Sequence, residues 1–87
     1  MGKYTKREKT AHLLGLWMEE NGYTMVGDSS RFISPLDGKY ICVSALIAIY
    51  YATISRRYID PKRCAVEIFT AYENDYWAAV DREERVS

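Results

Sequence analysis

The side chains able to do covalent or acid–base chemistry are few in this chain, and their spacing limits what they can do. His12 is the only histidine. Cys64 falls at the start of an expected helix, where the dipole favours a thiolate, and with His12 it would make the minimum of a Cys/His nucleophile pair. Glu8, one helical turn before His12, offers that histidine an ordinary surface ion pair instead. The carboxylate pairs open to acid and base work are Asp28 with Asp37 and Glu19 with Glu20. Asp28 and Asp37 sit in turn sequences, and neighbours such as Glu19 and Glu20 diverge on a helix. The segment Gly27-Asp28-Ser29-Ser30 lacks the glycine and lysine spacing of a phosphate loop. Cys42 and Cys64 have no second CxxC half or nearby histidine, so they read as free, buried thiols in a reducing compartment and not as zinc ligands. No catalytic, cofactor-binding or metal-ligating residue emerges, and the expectation is a protein that is not an enzyme and carries no cofactor.

Residues suited to binding are more plentiful. Lys3, Lys6, Arg7 and Lys9 stand against Glu8, and Arg56, Arg57, Lys62 and Arg63 against Asp60, giving two segments of +3 each. If the fold brings them together, they could track a nucleic-acid backbone, with Tyr4 and Tyr58 placed to stack on bases. The segment 67–87 sums to −4, so a bipolar molecule is expected although the whole chain is neutral. Eight tyrosines and two tryptophans in 87 residues exceed what so small a core readily hides, and Tyr and Trp concentrate energy at protein interfaces. The candidate partner-binding residues are Tyr50, Tyr51, Arg56, Arg57, Tyr58, Tyr72, Glu73, Asp75, Tyr76 and Trp77.

The chain's size bounds the rest. A length of 87 residues predicts one domain burying roughly 60–65% of its unfolded surface, with little room for a deep pocket. A hydrophobic fraction of 48% with 28% charged residues is that of a folded globular domain and not of a disordered one. The polar N-terminus has no secretory signal core. The apolar run from Ile41 to Ile54 is well short of the roughly 20 residues that span a bilayer, so no membrane span and a cytoplasmic location are expected.

That run is the stretch the other elements must cover. Before it, Thr5 and Glu8 form a capping box that starts a helix at about 6–21, with Leu13, Leu14, Trp17 and Met18 on its inner stripe and Asn21-Gly22 as its stop. Strands are predicted at about 23–26, 31–34 and 39–43, joined by turns at Gly27–Ser30 and Pro35–Gly38. A competing reading caps a helix at Ser34 with Pro35 in its first position, and Gly38 in that first turn weighs against it. Ser44 is the expected N-cap of a helix over about 45–57, with Leu46, Ile49, Tyr50, Thr53 and Ile54 on its main buried face and Arg56 and Arg57 on its last carbonyls. Asp60-Pro61 opens a third helix over about 61–84, striped by Ala65, Ile68, Phe69, Tyr72, Tyr76, Ala79 and Val80, with Val66 and Trp77 off the stripe.

The expected fold class is therefore α+β in the order α-β-β-(β)-α-α, a two- or three-stranded antiparallel sheet packed on three helices, the last one long. The expected function is a non-enzymatic protein-interaction module with a protein partner, and a homodimer is a further expected arrangement. Small phage-type accessory inhibitors that dock on larger partners, such as nucleic-acid-targeting defence complexes, are of this general class. The alternatives are nucleic-acid binding by the two basic clusters and a small enzyme with a shallow site.

Overall fold

The structure is a computed structural model that describes residues 4–27 and 30–86. Lys3 of the first basic cluster and Asp28 of the first carboxylate pair lie outside the described residues. Three helices and three strands follow in the order α1 (Lys6–Glu20), β1 (Thr24–Val26), β2 (Arg31–Ile33), β3 (Tyr40–Cys42), α2 (Val43–Ile54) and α3 (Pro61–Val86). The strands form one antiparallel sheet in the order β1-β2-β3, with Met25 opposite Phe32 and Phe32 opposite Ile41. The α+β architecture is the one the residue patterns predict.

Each helix start and stop has a local cause. Thr5 Oγ1 accepts from Glu8 N at 3.1 Å and Glu8 Oε1 accepts from Thr5 N at 3.1 Å, so the capping box is complete in both directions. At the far end Gly22 takes φ +90°, and Tyr23 N reaches back to Met18 O at 3.0 Å. Asp60 Oδ1 accepts from Lys62 N at 3.2 Å, with Pro61 as the first residue of α3. The turn between β2 and β3 closes on Ser34, whose carbonyl accepts from Gly38 N at 2.9 Å and whose hydroxyl accepts from Leu36 N. That turn excludes the helix start at Ser34.

Two features of α2 differ from the sequence expectation. The helix begins at Val43, one residue before Ser44, and its N-cap Cys42 makes no side-chain cap bond. A cap is not needed, because Val43 N donates to Ser30 O at 2.8 Å and the strand passes directly into the helix. At the other end α2 stops at Ile54, and Arg56 and Arg57 lie exposed in the turn that follows, not in the helix's last turn. The cation that meets this end comes from α1 instead: Lys6 Nζ donates to Tyr58 O at 2.8 Å and to Ser55 O at 3.3 Å.

The core joins α1 (Leu14, Met18), α2 (Leu46, Ile47, Ile54) and α3 (Cys64, Ile68, Phe69) to Tyr23 and Phe32 of the sheet region. Phe32 is fully buried, and its ring lies 3.7 Å from where a Cβ would stand on Gly15. The helices α1 and α3 run in the same direction, since Lys6 reaches Tyr58 while Tyr23, beyond the other end of α1, meets Phe69 edge-on at a ring separation of 5.4 Å. None of the described helices is long and apolar enough to cross a membrane.

Candidate functional site

The parallel course of α1 and α3 brings the two basic clusters to one end of the molecule. Lys6 bonds the α2–α3 connection directly, the Arg7 guanidinium lies 5.5 Å from the centre of the Tyr51 ring, and Arg63 lies 5.4 Å from that of Tyr58. Arg56, Arg57 and Lys62 are exposed around the same connection. Tyr4 and Ile59, 69% and 88% exposed, stand among these cations. Between the first half of α1 and the start of α3 runs an open groove of about 990 Å³, lined by Tyr4, Lys9, His12, Leu13, Asp60 and Pro61 among others.

The opposite end is formed by α3 alone. At 1.5 Å per residue its 26 residues extend about 39 Å, whereas the fully buried residues of this helix end at Phe69. Tyr76 is half-buried, and its hydroxyl donates to Leu36 O at 3.4 Å. Beyond it Val80 is half-buried and Asp81 to Arg85 are all exposed. Trp77 is 53% exposed at the root of this arm, and its ring meets that of Tyr76 edge-on at 5.1 Å. The arm carries Asp81, Glu83 and Glu84 against Arg82 and Arg85, with Asp81 and Arg85 paired at 3.1 Å.

The ten candidate binding residues divide between structural and accessible roles. Arg56, Arg57, Asp75 and Trp77 are exposed; Tyr50, Tyr51, Tyr58, Tyr72, Glu73 and Tyr76 are half-buried. Of the half-buried phenols, Tyr50 and Tyr51 tie helices together, Tyr51 under the Arg7 guanidinium of α1. Tyr50 donates its hydroxyl to Asp75, joining α2 to α3, and Tyr23 donates to Glu73 at 3.2 Å. Two of the acidic residues near the arm are thus engaged in internal bonds. Sequence reasoning missed the exposed Leu16, Met25, Tyr40, Ile49 and Ile59. For Ile59 a signal was present: it lies in the short connection before Asp60-Pro61, where no helix or strand periodicity gives an apolar side chain a face to bury.

These bonds have an alkaline signature. Burial, reinforced by the bond to Asp75 and its charge, pushes the Tyr50 phenol up to about 12. Burial also raises Tyr23 and Tyr72. A raised phenol pKa means that the folded state favours the neutral form. The associated stability is present below the unfolded value of about 10 and is lost as pH rises through the folded value. Stability should therefore fall from about pH 10 upward, and the Tyr50→Phe variant should lose one late step from the phenolate absorbance titration. A titration with no late step to lose would contradict the bond.

Cys64 and His12 do not form a reachable pair. His12 is exposed on α1, while Cys64 is fully buried and donates its thiol to Tyr58 O at 2.9 Å. Burial pushes the thiol pKa up, against a smaller lowering influence of Lys6. Among the described residues, no group of three or more His, Cys, Asp or Glu side chains could hold a metal ion.

Comparison with known protein families, curated proteins and solved structures gives no significant match to any of them.

Proposed function

We propose that this chain is a non-catalytic interaction module whose docking element is the arm of α3, Tyr76 to Arg85, laid onto a protein partner with a basic, apolar-floored groove. The observation that carries the reading is Trp77, a half-exposed indole at the root of a helical arm that the rest of the fold leaves uncovered. An exposed tryptophan inside a rim of charge is the arrangement that concentrates binding energy in a few residues. The acidic residues beyond it, Asp81, Glu83 and Glu84, favour a partner surface of opposite sign. Occupying such a groove would block it, which is how a small accessory inhibitor of the phage type would act on a nucleic-acid-binding complex.

Immobilised wild-type protein and its Trp77→Ala variant, each offered host lysate, test this reading. The variant should lose a captured protein by at least about 30-fold, corresponding to a hot spot of roughly 2 kcal/mol, with an unchanged melting temperature. Equal capture by both would overturn the role of the arm.

A second reading is favoured by the convergence of the two basic clusters. Arg7, Lys9, Arg56, Arg57, Lys62 and Arg63, with Tyr4 among them, make a surface able to follow phosphates. Binding of this kind weakens steeply with salt, and affinity for duplex or single strands that is independent of salt would exclude it.

A further inference from the structure

We propose that the basic end of the molecule is a docking surface for an anionic lipid bilayer, with Ile59 entering the boundary between headgroups and acyl chains and the surrounding cations resting on the headgroups. This surface is independent of the arm, which lies at the other end of α3. Ile59 is 88% exposed, more than any other large apolar side chain among the described residues. Its flanks are fixed, so the exposure is not the accident of a loose loop. On one side Tyr58 O accepts from Lys6 Nζ at 2.8 Å and from the Cys64 thiol at 2.9 Å. On the other, Asp60 O accepts from Cys64 N at 3.0 Å and Asp60 Oδ1 from Lys62 N at 3.2 Å. The connection thus presents an uncovered apolar side chain at the end where α1 and α3 begin and α2 stops.

Charge selects the kind of lipid. Arg7, Lys9, Arg56, Arg57, Lys62 and Arg63 are exposed at this end, against the exposed carboxylates Glu8 and Asp60. Each of those carboxylates already accepts a backbone N–H, Glu8 from Thr5 and Asp60 from Lys62. Arg63 also pairs with Glu67 at 3.4 Å, and the excess of positive charge remains large. A cation brought within a Debye length of an anionic leaflet strengthens binding roughly fivefold. Tyr4, 69% exposed beside Lys9 and Pro61, suits the same boundary, where a phenol keeps its ring in lipid and its hydroxyl in water. A nucleic acid fits this end less well. The Tyr51 and Tyr58 rings are half-buried and each lies under a guanidinium, of Arg7 and Arg63 respectively, which leaves Tyr4 alone for stacking on bases. A duplex would also set its phosphates against the isoleucine, whereas a bilayer takes both the cations and the apolar tip. The arm then lies at the far end of α3 from the bilayer, where Trp77 stays open to a protein partner.

Pelleting of the whole chain with vesicles tests the surface, using phosphatidylcholine alone and phosphatidylcholine mixed with phosphatidylserine. Wild type should pellet with the anionic vesicles and stay in solution with the neutral ones. Ile59→Ser keeps every charge and should weaken that binding at least about tenfold, through the loss of one buried apolar side chain. Arg56→Gln with Arg57→Gln keeps the isoleucine and should weaken it about 25-fold, two cations at roughly fivefold each. Tyr40→Ser removes a ring that is 69% exposed on the sheet and should change nothing. All the replaced side chains are exposed, and circular dichroism checks that the variants are folded. Anisotropy of a labelled DNA duplex, titrated with the same proteins at the same salt, is the comparison arm. Wild type that ignores phosphatidylserine, that binds neutral vesicles equally, or that Ile59→Ser leaves as tight would overturn the proposal. A duplex bound more tightly per phosphate than the anionic vesicles would overturn it too, and would assign the basic end to nucleic acid.

Discussion

Leu46→Ala should lower the free energy of unfolding by about 2–5 kcal/mol, whereas Ile49→Ala, three residues further along α2, should change it by no more than about 0.5 kcal/mol. The two side chains are close in volume and share a helix, so the contrast isolates their surroundings. Leu46 is 1% exposed inside the cluster that joins all three helices, and Ile49 is 65% exposed. Truncating Leu46 leaves a cavity that close-packed neighbours fill only in part. Truncating Ile49 removes atoms that already face water. For a domain whose whole stability is on the order of 5–15 kcal/mol, the first loss is large and the second is barely measurable. Urea unfolding monitored by circular dichroism reads both. Equal losses would mean that α2 presents a different face to the core.

The same pair of residues shows where the sequence stops being informative. α2 contains no charged residue, so its apolar positions run all the way round and periodicity does not select a face. Placing Ile49 and Thr53 beside Leu46 on the buried side is an equally good reading of the pattern. The fold instead buries Val43, Leu46, Ile47 and Ile54. Which side turns inward is set by α1 and α3, whose own amphipathic stripes were legible from Leu14, Met18, Ile68 and Phe69.

Helix boundaries followed the same division. Where the determinant is local, as in Thr5 with Glu8, Asn21-Gly22 or Asp60-Pro61, the sequence placed the boundary to within about one residue. The start of α2 depends on Ser30, a residue from the distant turn between β1 and β2, whose carbonyl takes the Val43 amide. Ser44 therefore has the right chemistry for an N-cap and no vacancy to fill.

The candidate site was legible in its ingredients and not in its arrangement. The two basic clusters were visible as charge runs about fifty residues apart, but only the parallel packing of α1 on α3 unites them. Tyrosine content pointed to exposed aromatics. The fold instead satisfies Tyr23, Tyr50 and Tyr76 internally through Glu73, Asp75 and Leu36 O, and leaves Trp77 as the accessible ring on the long helix. Hydroxyl partners from distant segments carry no short-range signal.

The claim on which this functional account turns is that the arm of α3 is covered by another chain. A helix of about ten residues without tertiary cover is marginal in water, because propagation alone does not offset nucleation and end fraying. Amides over 77–86 in an isolated molecule should therefore exchange with solvent at close to unprotected rates, while those of Ile68 and Phe69 are protected to the level of global unfolding. Docking should slow exchange in the arm by orders of magnitude and leave the core rates unchanged. Hydrogen exchange of the wild-type chain, compared with and without the captured protein, is the direct measurement. Protection that appears over 77–86 when the captured protein is present is the expected result. Arm amides that exchange at the same rate with and without the captured protein would contradict docking through the arm.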